Sequence, residues 1–199
     1  MPKKHVPNGT MLQKVKKKEV NQVKKVIINV VLIITVFVIY FLQSNFFTWF
    51  NIAGIMPNLF VVFVLFVGLF TNKTMGTIYG IVVGLLWDLL LGMQVSVNAI
   101  CLGIVGFSAA IFDKNFSKDS RATIMFMVLG STIAFEVLSY IINYFIFTTN
   151  VEILNFIKIL AIEVIYNLIL VIILYPLMQK FGYYMENEYK GNKILTRYF

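Results

Sequence analysis

Six apolar runs of near-membrane length follow one another along the chain, separated by short polar segments. A helix needs about 20 mostly apolar residues to cross the hydrocarbon core of a bilayer, which is roughly 30 Å thick. The pattern therefore predicts six transmembrane helices with short connections. The second and fourth runs are short, so their ends are less sharply defined. The runs cover about residues 26–43, 55–71, 75–93, 97–112, 123–148 and 155–179.

The composition also indicates a membrane protein. Hydrophobic residues make up 59% of the chain and charged residues 13%, whereas a soluble domain is about half apolar and a quarter charged. The 199 residues leave no room for a separate soluble enzyme domain. We therefore predict a basic N-terminal segment at 1–25, a single bundle of six transmembrane helices at 26–179, and a tail at 180–199.

The positions of Lys and Arg predict the orientation of this bundle. Eight lysines and one acid, Glu19, precede the first helix. The segments after the second, fourth and sixth helices also carry Lys or Arg. Residues 44–54, 94–96 and 149–154 contain no Lys or Arg. The positive-inside rule then places both termini in the cytoplasm. This topology accounts for the net charge of +8, so we expect no nucleic-acid partner, although the basic N-terminal segment is suited to anionic membrane lipid.

Few residues could carry catalysis. Cys101 is the only cysteine, and His5, in the basic segment, is the only histidine. A cysteine metal cluster and a serine–histidine site within the bundle are therefore excluded. Asp88 is the only aspartate inside a predicted span, whereas an aspartyl protease needs two carboxylates that share a site. We expect no enzyme activity, no catalytic residues, no metal and no cofactor.

The third predicted helix contains a stripe of small residues that includes an acid. In "GTIYGIVVGLLWDLLLG", residues four apart lie on one side of the helix. Such a stripe lets another helix approach closely, either within the bundle or from a partner or a second copy of the chain. The spacing of the glycines alone does not decide between these arrangements. The stripe consists of Gly76, Gly80, Gly84, Asp88 and Gly92.

Asp88 belongs to a predicted layer of three carboxyl groups. At 1.5 Å per residue, Asp88, Glu136 and Glu163 all fall in the outer half of the bilayer. Ionisable groups at such depth usually face a partner group or a water-filled cavity. We therefore predict a small polar cavity that opens toward the outside. The alternative is that Glu136 and Glu163 make separate hydrogen bonds that stabilise the bundle.

Residues 55–112 resemble the core of the MreD family of bacterial rod shape-determining proteins. Pro57 and Asn58 match a Pro-Asp/Asn pair that opens one helix in that family, and the glycine–aspartate stripe matches the helix that follows. Asn98 and Ala99 match the start of the next helix. Asn58 stands where an acid is common, and Ser96 stands where the family pattern has glycine.

This resemblance implies a non-enzymatic scaffold in the bacterial cytoplasmic membrane. Family members bind the single-span protein MreC and connect MreB filaments to the glycosyltransferase RodA and its penicillin-binding transpeptidase. Asp88, Asn98 and the glycine stripe are then expected to form or support the partner-facing surface, while Glu136 and Glu163 line a pocket. Family members are also thought to resemble the S component of energy-coupling-factor (ECF) vitamin transporters. Two other functions remain open, namely such a vitamin-binding subunit and a lipid-modifying enzyme.

Overall fold

The computed structural model describes residues 9–91, 96–116, 118, 120–147 and 152–190. Within these ranges the chain folds into six main helices, which confirms the all-α prediction. A π-helical turn, Leu42–Phe46, and a one-turn helix, Phe47–Trp49, follow the first of them. The six helices are α1 (Gly9–Phe41), α2 (Leu59–Phe70), α3 (Lys73–Leu91), α4 (Val97–Asn115), α5 (Arg121–Phe147) and α6 (Ile153–Lys190).

Four of these helices are long and apolar enough to cross a membrane. The stretch Glu19–Trp49 combines most of α1 with the two turns that follow it, and the other three stretches are Lys73–Leu90, Arg121–Ile146 and Ile153–Lys190. The helices α2 and α4 are shorter, as the apolar runs predict. The cytoplasmic location of the termini and the likeness to an S component stay predictions.

Two helices extend beyond the apolar runs. The first begins at Gly9, inside the basic segment, and α6 continues to Lys190. Lys, Glu and Gln are good helix formers, so "KVKKKEVNQVKK" continues the helix that the following apolar residues begin. Hydropathy therefore marks the stretch suited to hydrocarbon, whereas the helix also includes polar residues of good helix propensity.

The short helix α2 is the core of the bundle. All twelve of its residues are buried, and it packs against each of the other five helices. A helix that is apolar on every side belongs in a protein interior, and "LFVVFVLFVGLF" has this character. At 1.5 Å per residue α2 is about 18 Å long, shorter than the roughly 30 Å of the hydrocarbon core, so it cannot reach water at both ends. A helix end within the core needs protein partners for its polar backbone groups.

The first helix lies at the periphery of the bundle. It buries one stripe at helical spacing, consisting of Ile28, Leu32, Val36 and Ile39. Its other sides expose large apolar residues, among them Phe37 and Phe41. Exposed apolar side chains on a helix of this length are suited to lipid contact.

Candidate functional site

The glycine stripe of α3 faces α4 of the same chain. A Cβ atom added at Gly84 would lie 2.5 Å from the carbonyl oxygen of Asn98, and one added at Gly76 would lie 2.5 Å from that of Gly106. At Gly80 it would lie 2.6 Å from the carbonyl carbon of Leu102. These three glycines therefore allow two backbones to touch inside the bundle. Any effect on partner binding would act through the positions of α3 and α4.

Sequence reasoning missed the small residues that α2 and α4 contribute to this contact. A Cβ atom on Gly106 would lie 2.6 Å from the carbonyl carbon of Gly76, and one on Gly68 would lie 2.5 Å from Cβ of Ala109. The spacing of Ala99 and Gly103, four residues apart, was a signal that could have been read. Gly92, the last member of the predicted stripe, lies outside the described residues.

Asp88 lies at the N-terminus of α4. Its side chain is buried, and its two carboxylate oxygens accept hydrogen bonds from Nδ2 of Asn98 at 2.7 Å and from the backbone N–H of Ala99 at 3.4 Å. The first N–H groups of a helix have no partner within the helix and carry partial positive charge. A carboxylate is therefore stabilised there, and two of the predicted site residues, Asp88 and Asn98, lie in direct contact.

The backbone conformation of Ser96 accounts for the glycine that the family pattern has at this position. It precedes α4 as the N-cap residue, and its φ of +77° is in the left-handed region. Glycine adopts this conformation without a steric penalty, whereas a residue with a side chain does not. The departure from the family pattern at residue 96 therefore has a cost in backbone strain.

Asn58 caps the N-terminus of α2 and connects it to α6. Its side-chain oxygen accepts a hydrogen bond from the N–H of Val61 at 3.2 Å. Its own backbone N–H donates to Oδ1 of Asn167 at 2.8 Å, and Nδ2 of Asn167 donates to Oγ1 of Thr132 at 3.0 Å. Asparagine is among the best capping residues, so it serves here in place of the more common acid.

Gln43 makes a second connection to this helix end, which sequence reasoning missed. It lies in the π-helical turn and is buried. Its side chain donates to the carbonyl oxygen of Pro57 at 2.7 Å and accepts from the N–H of Leu59 at 3.3 Å. Pro57 therefore contributes its carbonyl group, in addition to the restricted backbone that makes proline favourable before a helix.

Glu136 and Glu163 form a second polar group beside Asn58. Their carboxyl groups are in contact with each other, and Glu163 also interacts with the side-chain amides of Asn58 and Asn167. The structure thus joins two of the three carboxyl groups predicted to share a layer. The hydrogen bonds of Asp88 go instead to α4, although the Cys101 thiol interacts electrostatically with both Asp88 and Glu136. The polar cavity itself stays a prediction.

An ionic cluster lies at the other end of α2. Lys118 is only 3% exposed, and its Nζ contacts Oδ1 of Asp113 and Oε1 of Glu186, both at 2.6 Å. Nζ of Lys190 contacts Oδ2 of Asp113 at 2.7 Å. Both lysines also donate to the carbonyl oxygen of Leu69, at 3.3 and 2.7 Å. The cluster joins the C-terminal ends of α2, α4 and α6.

Sequence reasoning assigned these lysines to membrane topology alone. Carbonyl groups in the last turn of a helix lack partners within the helix, and cations are favoured there. Because α2 is too short to reach water at both ends, its C-terminal carbonyl groups need donors from other segments. The short second apolar run could therefore have indicated buried cations near its end, although not which ones.

Comparison with known proteins gives one finding. A family model described as rod shape-determining protein MreD matches residues 24–185, which include most of α1 and all of α2 to α5. No curated protein and no solved structure matches the chain.

Proposed function

The chain belongs to the MreD family of rod shape-determining proteins, and we propose that it is a non-enzymatic scaffold of the bacterial cell-elongation machinery. In this role it binds an MreC-like single-span protein. Through that protein it links MreB filaments to RodA and the penicillin-binding transpeptidase. The observation that carries the proposal is the family match over residues 24–185. The four long apolar helices agree with a location in the membrane.

The way the helices are held supports a scaffold. Buried polar contacts connect α2 to its neighbours at both ends, and backbone-to-backbone packing joins α3 to α4. A partner would therefore meet helices whose relative positions are defined. Rigid presentation lowers the entropy that a binding surface loses when it is occupied.

In this proposal the partner's transmembrane helix binds to the exposed face of the α3–α4 pair. It exposes the side chains of Val82, Leu85 and Leu89 on α3 and of Ile100 and Ile104 on α4. In this proposal Asp88 and Asn98 position the outer ends of the two helices, and the glycines keep their axes close. Association in lipid depends on such close packing.

The family match also bears on the two alternative functions. A vitamin-binding S component would need a substrate in the outer half of the bundle, and a lipid-modifying enzyme would need a nucleophile and a base. The family description, which concerns cell shape, favours the scaffold over both.

Affinity purification from bacterial membranes in mild detergent tests the proposal. The unaltered chain is compared with Leu89→Trp, on the proposed face, and with the control Leu154→Trp at the start of α6. Their side chains are 72% and 77% exposed, so both variants should fold. We expect an MreC-like protein to co-purify with the unaltered chain and the control, and to be lost with Leu89→Trp.

The possible outcomes separate the parts of the proposal. Retention of the MreC-like protein by both variants would place the interface elsewhere and leave the scaffold role intact. If the membranes contain an MreC-like protein that does not co-purify with the unaltered chain, the scaffold role is refuted. Recovery of an ATPase-coupled transport subunit instead would support the vitamin-binding function.

A further inference from the structure

Glu136 and Glu163 bring two carboxyl groups together between α5 and α6. Glu163 is only 6% exposed, and the Glu136 carboxyl lies within hydrogen-bonding distance of it. Both residues lie inside stretches suited to span the membrane, Arg121–Ile146 and Ile153–Lys190. Two acids are thus in contact where water is scarce.

The contact requires a proton. An ionised carboxylate can only accept hydrogen bonds, so two carboxyl groups can be hydrogen-bonded to each other only if one of them is protonated. Oε1 of Glu163 is buried and has no conventional hydrogen-bond donor within the described part of the chain. A proton held between the two carboxyl groups would supply the missing donor and remove the repulsion between two like charges.

The groups around the pair favour one remaining negative charge. The side-chain amides of Asn58, at the positive N-terminal end of α2, and of Asn167 in α6 both interact with Glu163. From α4 the Cys101 thiol interacts electrostatically with Glu136, and it also interacts with Asp88 of α3. In the ion pairs of the described residues, every lysine contacts an acid at the end of the bundle away from Glu136 and Glu163. Two amides and a helix end can stabilise one carboxylate here, whereas a second would lack compensation.

We propose that Glu136 and Glu163 form a proton-binding site that holds one proton between α5 and α6. The proton joins the two helices beside the capped end of α2. Its removal leaves two carboxylates in contact and favours separation of α5 from α6. This site does not depend on the scaffold role, and the experiment below can succeed or fail whether or not an MreC-like protein binds.

Infrared difference spectroscopy of the full chain in lipid nanodiscs tests the site. A protonated carboxylic acid has a carbonyl band distinct from that of a carboxylate. We expect the unaltered protein to show this band at neutral pH, with a shift to lower frequency in heavy water. The control Glu152→Gln changes an exposed glutamate near the start of α6 and should keep the band. The double variant Glu136→Gln/Glu163→Gln should lose it.

A label makes the assignment independent of any variant that fails to fold. Protein grown with glutamate carrying carbon-13 in its side-chain carboxyl should show the band shifted, whereas labelled aspartate should leave it unchanged. A shift with aspartate alone would assign the proton to another site, such as Asp88, and refute the proposal. Absence of the band at neutral pH, or its restriction to sodium-free buffer, would also refute it, since the pair would then be ionised or occupied by a metal cation.

Discussion

Gly80→Ala is the sharpest test of the packing between α3 and α4. The new Cβ atom would lie 2.6 Å from the carbonyl carbon of Leu102 and 2.9 Å from Cα of Gly103. Ordinary contacts of a Cβ atom begin at 3.4 Å. The obstructing atoms belong to the backbone, so no side chain can rotate to relieve the overlap. The carbonyl oxygen of Leu102 would be closer still, so the two helices would have to separate by at least about 0.8 Å, the difference between 3.4 and 2.6 Å.

The expected cost follows from two opposing effects. Forcing an extra carbon into a well-packed interior costs about 1–3 kcal/mol, while replacing glycine by alanine in a helix gains at most about 1 kcal/mol. We therefore expect the free energy of unfolding to fall by up to about 2 kcal/mol. At about 2–4 °C per kcal/mol for a chain of this size, the melting temperature should fall by several degrees.

Gly130→Ala provides the matched control. Gly130 also lies within a long helix, α5, but a Cβ atom added there would have no neighbour within 4 Å. This variant should therefore be as stable as the unaltered chain or slightly more stable. Both variants are measured by thermal unfolding in the same detergent. Equal melting temperatures for the two variants would show that α3 and α4 do not touch at Gly80, and the proposed packing would be wrong.

Three further substitutions test the buried polar contacts, each measured by the same unfolding assay. Lys118→Met removes one of the two cations that contact Asp113 and Glu186 and should cost up to about 3–5 kcal/mol, with Lys190 limiting the loss. The exposed Lys180→Met should change little, and equal effects of the two substitutions would contradict the ionic cluster. Ser96→Gly should stabilise the chain by about 1 kcal/mol because glycine adopts the positive φ without strain. Ser139→Gly, inside a helix, should destabilise the chain. A loss of stability at both positions would argue against the left-handed conformation of residue 96. Asp88→Leu should cost about 1–3 kcal/mol because the start of α4 loses its hydrogen-bond acceptor. Asp88→Asn keeps an acceptor oxygen and should cost less. A larger loss of stability with Asp88→Asn than with Asp88→Leu would be inconsistent with the capping role.

The helices of this chain follow directly from its sequence. Hydropathy depends on the residues of one segment, so six apolar runs predict six helices whatever their packing. The same local pattern showed that the second and fourth were short. The glycine spacing in α3 likewise predicted a close helix contact, and the family resemblance selected Asp88 and Asn98, which lie in contact in the structure.

The partners of the polar groups required the folded chain. Nothing in the apolar run of α2 shows that Lys118 and Lys190, far away in sequence, both donate to Leu69. Glu136 and Glu163 similarly meet only because α5 packs against α6. Charge patterning assigned these lysines to the cytoplasmic segments of the predicted topology, because a sequence shows each residue beside its neighbours in the chain. The free energy of a buried charge depends instead on which distant groups replace its water, and packing in three dimensions determines those groups.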